Sequence, residues 1–349
     1  MLAPLAGYSE PDITVINVKT GKTCSPAKPS SFRQSIVGIN TESRQFATLC
    51  RKDNFFLKTK IFIQTIYDET CRKLTEYTFP LLFEGYGSVN VFYTVQDGKM
   101  AYIPEQTVPR GGPSRNLGNN HPAPPGRNLS FHLYDMAAKS DKVIASDAVA
   151  VGWPSVRWFM RWISGEKILF LAVESFFIID TVSGKVENIH NINKSGFRKV
   201  ALAPDCTMLA FTENGNEGIK ILELGSGKIT RTIKTWTNTV TQLQWSPDSK
   251  ELAYVELTQV KVCNIASGEV RALTGKMPTT HICYHLLFGK DIIGYSREYT
   301  DMRGTKGAEK TIHFITADIG APIRDITLEF HGKIWLLDND STFVCETGF

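Results

Sequence analysis

Three places along the chain carry residues whose types and spacing suggest chemistry. In the first, His281, Cys283 and His285 alternate with other residues. Alternation along a strand would put all three on one side, as ligands for a metal such as zinc. A single strand needs further ligands from elsewhere, and we identify none in the sequence. We therefore predict no metal site, with packing and ordinary hydrogen bonds as the roles of these residues.

The other two places resemble part of a phosphate-binding loop. Residues 21–23 read Gly-Lys-Thr, and residues 225–230 read Gly-Ser-Gly-Lys-Ile-Thr. A P-loop requires GxxxxGK[ST] between a strand and a helix, because backbone N–H groups and the helix N-terminus hold the phosphate. The first glycine is replaced by Ile16 and Leu222, and Ile229 stands where Ser or Thr is required. We predict that both strings are hairpin turns and that the protein holds no cofactor.

Catalytic groups are not indicated. The chain has no Gly-x-Ser-x-Gly nucleophile elbow. Carboxylates such as Asp180, Asp205 and Asp248 stand in turn sequences that account for them. We predict that the protein is not an enzyme. An active site in a central channel is kept as an alternative, although the sequence nominates no acid or base for it.

The seven cysteines are spread over the chain, and none forms a CxxC pair. Several stand in apolar, strand-like runs, which favours buried, reduced thiols in a reducing compartment. Cys24 with Cys345 is the one pair that ring closure would bring together. The cysteines are Cys24, Cys50, Cys71, Cys206, Cys263, Cys283 and Cys345.

Three polar segments are candidates for partner binding. The longest, 104–128, is rich in proline, glycine and arginine, and segments 297–310 and 51–60 carry several cations. Long loops in compact domains are often functional, and proline-rich ones favour polyproline II, a form used in peptide recognition. An inert insertion and solvated surface charges are the alternatives. The basic residues predicted to bind the partner are Arg110, Arg115, Arg127, Arg297, Arg303, Lys306 and Lys310.

A repeat of about 40–45 residues organises the chain around these segments. Residues 202–211 align with residues 245–254: each has a Pro-Asp turn followed by a strand ending in Leu-Ala and an aromatic residue. A turn of the Ser-Gly-Lys type follows at 183–185, 226–228 and 267–269. Pro-Asp turns join antiparallel strands, and the glycine accepts the positive φ of a tight hairpin.

This repeat resembles those of the TolB-like and tryptophan-aspartate (WD) β-propellers, with residues 240–274 matching best. No blade carries the Gly-His and Trp-Asp signatures, so the resemblance implies a fold and transfers no functional residue. We predict an all-β chain, residues 1–349, forming a single propeller of seven four-stranded blades closed by both termini. Six or eight blades stay open. The expected blades are 31–78, 79–147, 148–192, 193–235, 236–276, 277–327, and 328–349 together with 1–30.

Composition sets limits on the partner. The chain is 42% hydrophobic and 21% charged, with a formal net charge of +4, which does not by itself indicate nucleic acid or membrane. It contains no apolar run long enough for a membrane helix and no signal peptide, so we expect a soluble, cytoplasmic protein. We predict an interaction scaffold that presents basic b–c loops to acidic segments of other proteins. An RNA- or ribosome-associated propeller is the alternative.

Overall fold

The computed structural model has an all-β architecture, and its described residues include no helix. In this part of the chain, accordingly, no helix could cross a bilayer. The described residues are 12–20, 22–26, 34–40, 44–54, 59–82, 92–96, 98–103, 127–135, 137–151, 159–172, 175–192, 196–215, 218–236, 239–275, 281–300, 306–327, 330–336 and 342–347.

The strands form seven four-stranded antiparallel sheets, which are the blades of a seven-bladed β-propeller. In each blade the strands are called a to d in the order in which they pair. Blade one contains β3 (Gln34–Asn40), β4 (Gln45–Asn54), β5 (Thr59–Asp68) and β6 (Lys73–Leu82). Blade two contains β7 (Phe92–Gln96), β8 (Lys99–Ile103), β9 (Arg127–Asp135) and β10 (Ser140–Val151). Blade three contains β11 (Phe159–Trp162), β12 (Lys167–Leu171), β13 (Ser175–Asp180) and β14 (Val186–Asn191).

Blades four to six follow in chain order. Blade four contains β15 (Phe197–Leu202), β16 (Met208–Glu213), β17 (Ile219–Glu223) and β18 (Lys228–Ile233). Blade five contains β19 (Val240–Trp245), β20 (Glu251–Glu256), β21 (Gln259–Asn264) and β22 (Val270–Ala272). Blade six contains β23 (His281–Phe288), β24 (Ile292–Thr300), β25 (Lys306–Thr316) and β26 (Pro322–Thr327). Strands β6 and β10 run past residues 78 and 147, the ends expected for blades one and two.

Blade seven is built from both ends of the chain. Its order is β27 (Phe330–Leu336), β28 (Thr342–Thr347), β1 (Asp12–Asn17) and β2 (Thr23–Cys24). Strand β1 pairs with β28 along its whole length, from Asp12 opposite Thr347 to Asn17 opposite Thr342. The predicted closure by the termini, and the count of seven, are therefore confirmed.

The contacts divide the chain into two compact units. The first comprises residues 1–50, 64–76 and 197–349 and holds blades four to seven; the second comprises 51–63 and 77–196 and holds blades two and three. Inside each unit the a strands of consecutive blades pack side by side, as β15, β19 and β23 do in the first.

Burial follows the position of a strand in its blade. The b strands are buried on both faces: Ile168, Leu169, Phe170 and Leu171 of β12 have no exposed surface. In the d strand β18, exposed residues alternate with partly or fully buried ones. A central strand covered on both faces reads as a continuous apolar run, whereas an edge strand with one solvent face alternates.

The Pro-Asp sequences form the a–b turns of blades four and five, as predicted. In blade four, Cys206 donates its N–H to the Ala203 carbonyl at 2.9 Å, and the Asp205 carboxylate accepts the Thr207 N–H at 3.0 Å. Ser249 closes the equivalent turn of blade five. Both Cys206 (φ 58°) and Ser249 (φ 60°) have a left-handed backbone conformation. The side-chain bond offsets part of the cost of that conformation.

The c–d turns share one design. The last residue of strand c in every blade is polar, and its side chain accepts a hydrogen bond from the turn; these residues are Asn17, Asp68, Asp135, Asp180, Glu223, Asn264 and Thr316. Both P-loop-like strings lie in such hairpins, since β1 pairs with β2 and β17 with β18. Residues 225–227 form a turn, as predicted, and residues 228–230 begin β18, whereas Gly21 of the first string lies outside the described residues.

The c–d turns also contact the preceding blade. Added to Gly184, a Cβ would strike the Ile144 carbonyl of blade two, and added to Gly320 it would strike the Leu273 carbonyl of blade five. Arg231 and Arg271, on the d strands of blades four and five, donate to the Ala266 and Ala317 carbonyls of the next c–d turn at 2.9 Å and 3.0 Å. Blades two and three, four and five, and five and six are thus joined at their outer edges.

Candidate interaction surface

Two large apolar side chains are exposed on adjacent connections of blades four and five. Trp236, in the d–a connection between those blades, is 71% exposed, and Leu257, in the b–c turn of blade five, is 56% exposed. Because neighbouring strands alternate in direction, b–c and d–a connections leave a blade on the same side. We call this the b–c side. The other large apolar side chains that are exposed among the described residues lie on c–d turns or on d strands: Leu74, Val143, Val182, Val270, Ile319 and Ile323.

Backbone hydrogen bonds hold the two connections together. The Leu257 N–H donates to the Thr239 carbonyl at 3.0 Å. The Thr239 hydroxyl donates to the Trp236 carbonyl at 2.8 Å, and its N–H donates to the same oxygen at 3.3 Å. The indole and the leucine side chain therefore extend from a backbone held by hydrogen bonds. Little backbone conformational entropy would be lost here when a partner binds.

Leu257 has a left-handed backbone, with φ 55°. It is the first central residue of a two-residue hairpin, since Glu256 pairs with Gln259. Such hairpins require positive φ and normally use glycine or asparagine. A leucine here bears the steric cost of that conformation while exposing its side chain. A strained position of this kind is a reason to look for function.

Below these loops lies a buried ion pair that occurs in both blades. Lys261 Nζ is 2.6 Å from the Glu256 carboxylate, and Lys220 Nζ is 2.8 Å from the Glu213 carboxylate. Each glutamate is the last residue of its strand b. Each lysine lies on strand c and pairs with the aromatic residue that stands two positions before the glutamate, Phe211 in blade four and Tyr254 in blade five. The glutamate side chains are only 6% and 4% exposed. A buried carboxylate requires such a partner, because its desolvation is otherwise very costly.

The Glu256 carboxylate also reaches the exposed loop. Its Oε1 accepts the backbone N–H of Trp236 at 2.9 Å. A shallow crevice beside the indole is lined by Arg198, Glu213 and Thr235, among others. Lys234 is exposed on the same connection. The surface thus combines apolar groups with cationic ones, while the two acids are turned inward.

A second concave region lies at the opposite ends of these strands. This cleft, of about 430 Å³, lies between the a–b turns of blades five and six, and Asp248, Lys250, Glu251 and Lys290 are among its lining residues. Asp248 accepts hydrogen bonds from Ser246 and from the Lys250 N–H. Glu251 forms a bidentate pair with Arg271 at 2.7 Å and 2.9 Å. Both carboxylates are therefore engaged in structural contacts.

The residues predicted to bind a partner are only partly described. Arg110, Arg115 and Arg303 lie outside the described residues. The other four have described backbones but no described side chains: Arg127 begins β9, Arg297 lies in β24, and Lys306 and Lys310 lie in β25. Their predicted role in binding stays a prediction.

Two of the three predicted loops are shorter than expected. Strand β24 continues to Thr300 and β25 begins at Lys306, so most of 297–310 is an extended hairpin and only 301–305 connects its strands. Similarly, β4 ends at Asn54 and β5 begins at Thr59. Paired backbone groups stabilise a hairpin even where the sequence is polar and charged, which is why composition overestimated these loops. Residues 104–126 do connect β8 to β9, the expected b–c position.

Strand alternation fails at the histidines considered for metal binding. Cys283 pairs with Arg297 and His285 with Ser296, so β23 has a bulge between them. The expectation that His281, Cys283 and His285 share one side assumed unbroken alternation, and a bulge interrupts it. Their side chains lie outside the described residues. Among the side chains that are described, no three His, Cys, Asp or Glu residues are grouped to hold a metal.

The cysteines differ from expectation in two ways. Cys24 lies on β2 and Cys345 on β28, with β1 between them. Two strand spacings are roughly 9.5 Å, beyond the ~7 Å limit between the Cα atoms of a disulfide, so that pair is excluded. Cys24 Sγ instead lies 2.8 Å from Cys71 Sγ. Of the four cysteines with described side chains, only Cys263 is fully buried, whereas Cys24, Cys71 and Cys206 are half-buried.

Trp236 and Leu257 were not singled out from the sequence. The available signal was an aromatic residue inside a polar link, Thr235-Trp-Thr-Asn238. Exposure of the indole could not be read from that link, because tryptophan in a propeller is normally packed between sheets, as Trp245 is.

Comparisons with known proteins agree with the fold. No protein-family model matches the chain, and no curated protein matches it. A similar solved structure is "KlHsv2 with loop 6CD replaced by a Gly-Ser linker". The TM-score is 0.56 at 12% identity, over 90% of this chain and 90% of that one. Similarity at this identity shows a shared fold alone.

Proposed function

We propose that this propeller is a non-enzymatic scaffold that binds other proteins through its b–c side. The observation that carries the proposal is the exposed pair Trp236 and Leu257, held by hydrogen bonds to Thr239 and Glu256. Binding energy at protein interfaces concentrates in a few residues, among which tryptophan is prominent. An indole that is 71% exposed contributes little to the fold, so contact with a partner is the best account of it.

The predicted basic segments 104–128, 297–310 and 51–60 add cationic groups to the proposal. Each contains the b–c connection of its own blade, the kind of connection that Leu257 occupies in blade five. Their arginines and lysines favour an acidic partner, and Lys234 beside Trp236 has the same sign. A TolB-like or WD-type ancestry remains part of this proposal and rests on the Pro-Asp and Ser-Gly-Lys turns.

The test is capture of partners from the native cell by the tagged chain. The double variant Trp236→Ala, Leu257→Asp should reduce the affinity for the captured protein at least about 10-fold, as expected for loss of one anchor residue. The matched control is Ile319→Asp, which changes an apolar side chain of similar exposure, 76%, on a c–d turn. Equal loss of capture in both variants would show that binding is not specific to the b–c side, and loss in Ile319→Asp alone would place it on the other side.

Deletion of residues 106–126 tests the predicted insert separately. We predict that these residues form a surface loop, which buries little, so the thermal unfolding midpoint should hardly change on their deletion. Partner binding should fall by about 1–2 kcal/mol if the loop supplies one anchor. Nuclease treatment decides the RNA alternative: captured material that disappears with nuclease, and whose binding falls steeply with salt, would replace the protein partner by RNA.

A further inference from the structure

The joint between blades seven and one contains a pair of thiols in place of the arginine contacts found at other joints. Arg231 and Arg271 donate from a d strand to a carbonyl in the c–d turn of the next blade. At the corresponding place in blade seven, Cys24 of β2 directs its thiol to the Glu69 carbonyl, in the c–d turn of blade one, at 3.6 Å. Cys71 of the same turn lies 2.8 Å away, measured between the two sulfurs.

Cys71 occupies an unusual backbone position. Its φ is 63°, and the left-handed residue in the c–d turns of blades three to six is glycine: Gly184, Gly227, Gly268 and Gly320. A side chain there costs roughly 1 kcal/mol or more relative to glycine. Blade two has Lys139 at this place, with φ 52°, so the turn accepts a side chain at that cost, although glycine is the commoner residue. The thiol at this position faces the second thiol across the joint.

Both thiols are accessible in part and already adjacent. Each is half-buried, and they pack against the cluster of Ile13, Val15 and Tyr67. The two sulfurs are less than ~1 Å farther apart than the ~2.05 Å of a disulfide bond. A small oxidant can reach a half-buried sulfur, and closing the bond requires little movement.

We propose that Cys24 and Cys71 form an oxidisable pair, and that a hydroperoxide converts it to a disulfide that links blade seven to blade one. One thiolate attacks a peroxide oxygen, the O–O bond breaks, and a sulfenic acid forms. The second sulfur then attacks the first, the S–O bond breaks, and hydroxide leaves as water. With hydrogen peroxide, two thiols and one peroxide give one disulfide and two waters; the sulfurs lose two electrons and the peroxide gains them.

The groups around Cys71 affect the rate at which the two thiols are oxidised. Burial raises the pKa of Cys71, and the adjacent Cys24 and the Asp68 carboxylate raise it further. Because the thiolate is the reactive form, oxidation should be slow near neutral pH and should accelerate as pH rises. The pair is thus suited to a slowly formed link that persists, in contrast to a fast peroxide sensor.

The disulfide would stabilise an edge that is otherwise weakly held. Strand β2 has only two residues, Thr23 and Cys24, which pair with Ile16 and Val15. A covalent link from Cys24 to blade one fixes this strand and closes a long loop in the unfolded chain. The midpoint of thermal unfolding of the oxidised protein should rise by roughly 5 °C.

The test treats the full chain with hydrogen peroxide, blocks remaining thiols, and digests it with trypsin without reductant. The expected result is a peptide of residues 23–33 joined to one of residues 61–72, lighter by two hydrogen atoms and separated by reductant. Formation should be faster at about pH 9 than at about pH 7. Independent oxidation of the two cysteines, or a joined peptide containing another cysteine, overturns the proposal.

Variants give a second readout. Cys24→Ser and Cys71→Gly should each abolish the joined peptide and the peroxide-induced rise in melting temperature. Glycine suits the left-handed position, so Cys71→Gly should fold. The matched control is Cys206→Ser, which removes another half-buried thiol. Cys206 also has a left-handed backbone, with φ 58°, and its thiol donates to the Pro204 carbonyl. A rise that persists in Cys71→Gly would show that the link is not responsible.

Discussion

The Glu256 carboxylate accepts the backbone N–H of Trp236 at 2.9 Å, so a buried acid fixes the loop from which the most exposed aromatic side chain of the described residues extends. The same carboxylate lies 2.6 Å from Lys261 Nζ. One ion pair therefore serves both the packing of blade five and the shape of its b–c side.

We expect Glu256→Gln to destabilise the protein by about 2–3 kcal/mol, because it leaves the Lys261 charge without its partner in a largely buried place. Urea unfolding measures the change. Glu187→Gln is the control: its pair with Lys185 is exposed, at 59% and 72%, and its loss should cost less than about 0.5 kcal/mol. Equal losses would show that burial does not govern these pairs.

Truncation of Trp245 should destabilise the protein much more than truncation of Trp236. Trp245 is 1% exposed and its indole N–H donates to the Ala201 carbonyl at 2.9 Å, so Trp245→Ala should cost about 3–5 kcal/mol. Trp236→Ala should cost less than about 1 kcal/mol, since most of the indole is exposed. Thermal or urea unfolding compares them. A large loss from Trp236→Ala would reassign this side chain to the fold.

Gly320 should tolerate substitution much less well than Gly98. Both have positive φ, 71° and 73°. A Cβ on Gly320 would strike the Leu273 carbonyl, whereas one on Gly98 would meet no atom within 4 Å. We expect Gly98→Ala to cost about 1–2 kcal/mol for the backbone alone and Gly320→Ala at least about 3 kcal/mol. Similar losses in urea unfolding would contradict close contact between blades five and six.

Asp68 should give stability that is lost in acid. The Thr70 hydroxyl, at 2.6 Å, and the N–H groups of Thr70 and Arg72 donate to its carboxylate and lower its pKa. A lowered folded pKa contributes stability that is complete above the unfolded value of about 3.9 and is lost as pH falls through the folded value. Wild type should therefore exceed Asp68→Asn in melting temperature at pH 6, with the difference shrinking below about pH 4. A difference independent of pH would exclude this titration.

Much of the fold could be predicted from local sequence. The Asp205 and Asp248 turns form through hydrogen bonds spanning two residues, so a short stretch contains all the chemistry that determines them. Termini that each supplied an incomplete blade required a shared one, and β1 pairs with β28 accordingly. Loop lengths at 51–60 and 297–310 were less predictable, because hairpin pairing depends on the partner strand more than on polarity.

The sequence by itself determined the repeat and the all-β class, since turn chemistry and strand periodicity act over a few residues. It favoured seven blades over six or eight, and the pairing of the strands decided that count. Only the tertiary structure decided which distant residues meet. Trp236 reaches Glu256 across 20 residues of sequence, and Cys24 reaches Cys71 across 47. These contacts depend on how one blade packs against the next, and the twist and register of whole sheets, which no local pattern encodes, set that packing.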